Sequence, residues 1–194
     1  MIHLHATKLA APCAIALGKF ESIHLGHQAL IAELVKTAAT HMLPSVLLVF
    51  EPHPYRVLVD DTYKPLLTSQ ERAYIVRGLG VDYLLEYPFS REFAALSADD
   101  FCHILFEDLR AKVIVVGEGY RYGRGRAGTI ATLRQHAQMY GAAVHVVAPY
   151  SVQGSNKTST SAIRALLSEG RYDEANQLLG YDLRRLPNMC NPDG

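Results

Sequence analysis

The stretch GKFESIHLGHQALI, residues 18–31, sets His24 and His27 three positions apart around Gly26. Upstream, CAIAL (13–17) is a short apolar run that reads as a buried strand. Downstream, HQALIAELVKTAATHM carries apolar residues at 30, 31, 34, 35 and 38, the spacing of a helix face. The two imidazoles therefore sit where a strand gives way to a helix. Free N–H groups at a helix N-terminus attract phosphate, Gly26 allows close backbone approach, and side chains at i and i+3 share one face. That arrangement suits a polyphosphate. Its plain alternative is a chance pair serving as cap and surface residues in a chain with 9 histidines.

Outward from this stretch the pattern repeats. SVLLVF (45–50), VDYLLEY (81–87), KVIVV (112–116) and AVHVVA (143–148) join CAIAL as expected strands, about five in all. Helical patterns alternate with them, which predicts an α/β fold with a parallel sheet and crossover helices. SQERAYIVRGLG is expected to open on Ser69 as N-cap, SADDFCHILFEDLR on Ser97, and two short helices, STSAIRALLSEG and YDEANQLLG, to close on glycines. Two long loops interrupt the alternation, 51–68 and 117–129. Both follow a strand's C-terminal end, where open α/β sheets bind ligands.

A length of 194 residues suits one domain, and 19 basic against 19 acidic residues give no field that would draw nucleic acid or an anionic membrane. Cys13, Cys102 and Cys190 form no C-x-x-C pair, which favours a reducing, cytoplasmic home over a disulfide framework or zinc site. No run reaches the roughly 18 apolar residues of a membrane span, and Pro12 and Gly18 argue against a signal peptide.

A second constellation lies in NKTSTSAIRALL: Lys157, the hydroxyls of Ser159, Thr160 and Ser161, and Arg164 one turn into a helix. Hydroxyls and amides at a helix start can hold phosphate oxygens, and a guanidinium can neutralise charge on a departing pyrophosphate. The alternative is an over-determined N-cap with a solvent-facing arginine. Gly123 to Gly128 spells G-x-G-x-x-G, but the preceding strand ends near Gly117 and no acid occurs between Glu118 and Glu169. It is not a dinucleotide fingerprint; a basic phosphate-facing loop with Arg124 and Arg126 fits better. For Glu51 and His53 in EPHP, no cluster of further ligands supports a metal reading, and Tyr120 and Tyr122 suit either a stacking platform or the core.

H-x-G-H after the first strand with S/T-S/T-x-x-R at a late helix resembles the nucleotidyltransferases that activate the α-phosphate of ATP, and implies their Rossmann-like fold. Within them the chain is similar, from about residue 12 to 180, to the adenylyltransferase domain of the bacterial FAD synthetase (riboflavin kinase/FMN adenylyltransferase) family. GKFESIHLGHQALI, FEPHP, residues 67–101, VVGEGYRYGRGRAGT and STSAIRALLSEGRYDEANQLLG carry the likeness. The resemblance implies condensation of FMN with ATP to FAD and pyrophosphate, with Mg²⁺ and no covalent enzyme intermediate. It further implies that His24, His27 and Arg164 serve the reaction, and that Gly18, Phe20, Gly26, Ser159, Thr160 and Ser161 hold the nucleotide. His53, Pro54, Tyr120, Arg121 and Tyr122 would lie along the flavin.

Several positions depart from the family pattern: Lys19, Glu21 and Ser22 replace Asn, Asp and Gly, Gly119 replaces Asp or Asn, and Ala162 replaces an arginine. No metal ligand is identifiable. These departures leave two other readings open, a nucleotidyltransferase for another nucleotide or phosphorylated acceptor, and a flavin- or nucleotide-binding paralogue without turnover. The expected organisation is one domain over 1–186 with a tail at 187–194 and no riboflavin kinase domain, FMN then coming from a separate kinase.

Overall fold

A computed structural model describes residues 1–150 and 158–186, so Lys157, Cys190 and the tail 187–194 lie outside the described residues. In chain order the elements are β1 (Ile2–His5), β2 (Cys13–Leu17), α1 (Leu25–Thr40), β3 (Ser45–Glu51), α2 (Pro54–Leu58), α3 (Ser69–Gly78), β4 (Tyr83–Pro88), α4 (Arg91–Ala94), α5 (Ala98–His103), β5 (Ala111–Gly117), α6 (Ile130–Met139), β6 (Ala143–Val147), α7 (Thr160–Ser168) and α8 (Tyr172–Leu179).

Among the described residues the strands form one parallel sheet in the order β1-β4-β3-β2-β5-β6, six strands rather than the five or so expected. The added strand is β1, whose sequence IHLH is mostly exposed. It sits at an edge, pairing only with β4, so its two histidines meet solvent instead of core and give no apolar run to recognise. The central β2 is buried at every position, with β3 on one side and β5 on the other. Small residues Ala14 and Ala16 face the α1 side of the core, while Ile15 and Leu17 face the side containing Phe101, Leu105 and Leu133. The sheet thus carries a hydrophobic layer on each face, which its near-continuous apolar strands require.

Chain order reverses at β2. From β2 the chain moves to β3 and β4 on one side and later crosses to β5 and β6 on the other. The crevice beyond the C-terminal ends of β2 and β5 is the topological switch point, where open α/β sheets take their ligands. The loops leaving those two strands are GKFESIH and GEGYRYG, so the sheet order brings the opening motif and the second long loop together.

Helix caps follow the sequence closely, with one correction. Thr68, not Ser69, caps α3, forming a reciprocal capping box with Glu71. Ser69 instead donates its hydroxyl to the buried carboxylate of Glu86. Ser97 caps α5 with Asp100 as the reciprocal partner, and Gly180 closes α8 in the left-handed conformation at φ 75°.

Candidate nucleotide site at the switch point

The turn between β2 and α1 is strained and clamped. Phe20 and Ile23, both fully buried, adopt φ of 44° and 42°, a region that non-glycine and especially β-branched residues avoid. Glu21 and Ser22 lie between them, and each is fixed from outside the turn. The Tyr181 hydroxyl donates to the Ser22 carbonyl at 2.5 Å, and Ser22 Oγ meets Thr160 Oγ1 at 3.1 Å. Gln28 Nε2 donates to the carbonyls of Ile23 at 2.9 Å and Leu179 at 2.7 Å, tying α8 to the same corner. Contacts of this kind hold a turn that its own backbone disfavours.

His24 is the N-cap of α1, and its Nδ1 accepts the His27 amide at 3.2 Å. That bond leaves the proton of a neutral His24 ring on Nε2. The His24 and His27 rings stack with centroids 3.7 Å apart and planes 10° from parallel. Gly26 is needed here, since a Cβ would come within 3.1 Å of the His24 ring. Burial lowers the pKa of His24, and burial together with charge on His24 drives that of His27 down to about 3. Both rings are therefore neutral near pH 7 and act as N–H donors or acceptors. His27 Nδ1 is buried without a hydrogen-bond partner among the described residues.

On the other side stands α7. Ser159 caps it by accepting the Ala162 amide at 3.2 Å, Thr160 points to Ser22, and Ser161 is exposed in the first turn. The N-termini of α1 and α7, two concentrations of free N–H groups, thus meet at one corner. Arg164 lies one turn along α7. Its guanidinium donates from Nε to Glu21 Oε1 at 3.2 Å, with a second bond from Nη2, donates to the Lys64 carbonyl at 2.7 Å, and lies 4.7 Å over the Tyr63 ring.

Glu21 is the hub that sequence reading missed. Besides Arg164 it accepts from the Tyr63 hydroxyl at 2.7 Å and the Leu66 amide at 3.3 Å, and its second oxygen lies 3.7 Å from His53 Nε2. Burial alone would raise its pKa; the bonds from Tyr63 and Arg164 outweigh burial and hold it low. The longer acid at this position was the available signal, since its extra methylene extends the carboxylate's reach. Tyr63 gave none, being one of two tyrosines in the 51–68 loop with no spacing that singles it out.

Beside this corner opens a cleft of about 780 Å³, lined among others by Gly18, Lys19, His27, His53, Pro54 and Thr160. Tyr120, Arg121, Tyr122 and Arg126 also line it. One wall is aromatic: Phe50, Phe89 and Phe93 form a triangle with ring centroids 5.2 to 5.6 Å apart. These three were also missed, although FEPHP and YPFSREF carry them. Gly18 cannot bear a side chain without meeting the Phe20 ring at 3.0 Å, and Phe20 itself reaches the site only through His27, 5.1 Å away. His53 caps α2 by accepting the Tyr55 amide, and Pro54 occupies its first turn. Glu51 pairs with the buried Arg72 at 3.9 Å, away from His53's partner Glu21.

The two tyrosines divide. Tyr120 is partly exposed, while Tyr122 is buried, its hydroxyl 3.1 Å from Thr132 Oγ1. Tyr122 also pairs its backbone with Gly128 across the mouth of the loop. A Cβ at Gly128 would lie 2.6 Å from the Tyr122 ring. Gly128→Ala is expected to cost about 1–3 kcal/mol by overpacking, read as a lowered denaturant midpoint. Arg124, unlike Arg126, is not on the cleft wall; its amide donates to the Leu96 carbonyl at 2.8 Å. Gly123, at φ 70°, packs on Ala98, so the glycine-rich run is a folded Ω-like turn, separated from α6 by its cap Thr129.

A family model described as FAD synthetase matches residues 6–161. The chain is 32% identical over 171 residues to the bifunctional riboflavin kinase/FMN adenylyltransferase of Escherichia coli strain K12, covering 87% of this chain and 54% of that protein. It is 34% identical over 169 residues to the protein of the same description from Listeria monocytogenes, covering 86% and 53%. The chain thus spans about half the length of the curated relatives it matches. A solved structure titled macrolide-efflux protein, from Streptococcus pneumoniae, superposes with a TM-score of 0.81 at 28% identity over 93% of this chain and 60% of that one. A pantothenate synthetase from Thermus thermophilus shares the fold, with a TM-score of 0.51 at 15% identity over 97% of this chain and 84% of that one. With the motif turn, the capped α7 helix and the cleft joined at one sheet edge, these likenesses agree: the chain belongs to the FAD synthetase family.

Proposed function

We propose that this chain transfers the adenylyl group of ATP to FMN, giving FAD and pyrophosphate. The observation that carries the proposal is the 3.1 Å contact between Ser22 and Thr160, 138 residues apart, beside an aromatic-walled cleft. It supports a single anion corner made from both motifs, opening on a space suited to a flat ring system. An FMN phosphate oxygen attacks the α-phosphorus of ATP, the bond to the bridging oxygen of the β-phosphate breaks, and pyrophosphate leaves. The chain's contribution is positioning and charge stabilisation. His24 and His27, as neutral imidazoles, donate N–H groups to the triphosphate. Ser159, Thr160 and Ser161 present the start of α7 to it, Arg126 on the cleft wall supplies positive charge, and Arg164, behind the cleft wall and paired with Glu21, is the second cation of this corner. Phe50, Phe89, Phe93 and Tyr120 border the isoalloxazine ring, with His53 and Pro54 at its edge.

Among the described residues magnesium meets no dedicated cage at this corner. Gly119 offers no side chain, a Cβ there would meet nothing within 4 Å, and the Glu21 carboxylate is committed to Arg164, Tyr63 and Leu66. The residues present do not fit a protein-held ion at that position, and Mg²⁺ belongs to the reaction as part of the ATP–metal complex. FMN would come from a riboflavin kinase activity, and a reducing cytoplasm would suit the free, buried Cys13 and Cys102. No helix among the described residues is long and apolar enough to cross a membrane.

The test incubates the chain with FMN, ATP and Mg²⁺ and follows FAD by chromatography and pyrophosphate by a coupled assay. Stoichiometric formation of both is expected. FMN and ATP binding without product would favour the paralogue reading, and faster turnover with another nucleotide or acceptor would replace FMN and ATP as the pair.

A further inference from the structure

Away from the cleft, at the opposite edge of the β2 to β1 half of the sheet, three ligand-bearing side chains converge. His3 and His5 lie two apart on β1 and so project from one face, and β1 pairs in register with β4 so that His5 stands opposite Glu86. His3 Nε2 is 3.3 Å from Glu86 Oε1, and His5 Nδ1 is 3.5 Å from Glu86 Oε2. The three donor atoms all lie within 4.8 Å of one another. Ligands about 2.0–2.2 Å from a tetrahedral zinc ion are separated by about 3.4 Å. Each imidazole already lies at about that distance from the carboxylate, His3 from one oxygen and His5 from the other, so the Glu86 carboxylate spans the two rings.

We propose that His3, His5 and Glu86 form a binding site for a divalent transition-metal ion of the zinc type, with solvent completing the coordination. The donor set, two imidazoles and one carboxylate, suits zinc, cobalt or nickel and not magnesium or calcium. The carboxylate is prepared for the task. Its side chain is 2% exposed and it accepts the Ser69 hydroxyl, while the buried Arg72 guanidinium, 3.9 Å from Glu51, also acts on it through its charge. The imidazoles are accessible, with side chains 31% and 70% exposed for His3 and His5. Their rings are 4.8 Å apart, so one divalent ion can be shared by both rings and the carboxylate. The ligands come from two paired strands, so the ion would clip the edge strand β1 to β4.

The full chain, stripped with a chelator, is titrated with Zn²⁺ by calorimetry and with Co²⁺ by visible absorption. One equivalent of tightly bound ion is expected, with tetrahedral cobalt bands and a rise in Tm of about 5 °C at saturating zinc. His3→Gln and His5→Gln should each weaken binding at least about tenfold and abolish the bands, while leaving FAD formation unchanged. Glu86→Gln should do the same to binding, and since Glu86 is buried, the variants at the exposed His5 carry the test if that protein unfolds. Unaltered affinity in the double His3→Gln/His5→Gln variant overturns the proposal. So does loss on His3→Gln alone with His5→Gln and Glu86→Gln unaffected, or loss on His27→Ala, since either places the ion elsewhere.

Discussion

His27→Ala is expected to lower kcat for FAD formation by about 10²–10³-fold, the usual consequence of deleting one preorganised donor to developing negative charge. His27 is on the cleft wall, is stacked on His24 at 3.7 Å, and is held neutral by burial, its pKa driven down to about 3. A neutral ring buried this way costs little to reorganise and offers a directed N–H in place of a mobile cation. His27→Asn, which keeps a donor in nearly the same place, should recover part of the loss. Steady-state kinetics on the three proteins, with nucleotide affinity measured separately, would separate a transition-state effect from ground-state binding. Wild-type kcat in His27→Ala would remove this ring from the reaction. The same low pKa has a stability consequence. Its folded value lies below the unfolded one, so its contribution is present above about pH 6.5 and is lost as pH falls toward the folded value.

Arg164→Ala is expected to act twice, on turnover by about 10²-fold or more, and on stability. Removing the guanidinium strands the Glu21 carboxylate, whose side chain is 6% exposed. Breaking a deep ion pair costs about 3–5 kcal/mol. Here about 2 kcal/mol is expected, because Arg164 is already 35% exposed and Tyr63 and Leu66 keep their bonds to Glu21. The sign with pH is fixed. Glu21 is held below its ordinary pKa in the wild type, so its contribution is present above the unfolded value of about 4.3 and is lost as pH falls through the folded one. Without Arg164 that depression shrinks. The stability gap between the two proteins should therefore be widest near neutrality and close on acidification below about pH 4. Urea denaturation at several pH values reads this directly; a gap independent of pH would mean that Arg164 stabilises by packing alone.

The sequence shows the sheet wherever burial forces apolar runs. CAIAL, SVLLVF and KVIVV are legible because central parallel strands are covered on both faces. The edge strand IHLH is not, since three of its four residues are exposed. The cap at Ser97 was legible because the signal is local, whereas Ser159 stood in a run of three hydroxyls, and Thr68 and Ser69 compete one residue apart with only the tertiary bond from Ser69 to Glu86 to decide between them. At the site, the histidines and the late hydroxyls stood out as patterned motifs. Glu21 and Tyr63 did not, because their importance arises from who they meet, 42 residues apart, and no spacing rule encodes that. The Phe50, Phe89 and Phe93 wall is drawn from two separate segments in the same way.

The clasp of Ser22 by Thr160 and Tyr181 has a consequence for biogenesis. Chains emerge from the ribosome N-terminus first, and the strained corner near residue 22 waits on partners 138 and 159 residues later. The six described strands are all made before α7 and α8, so a nascent chain can own this sheet without owning its anion corner. Nucleotide binding would then report that translation has passed the last clasping residue, and a protein stalled earlier would be folded in outline yet blind to its substrate.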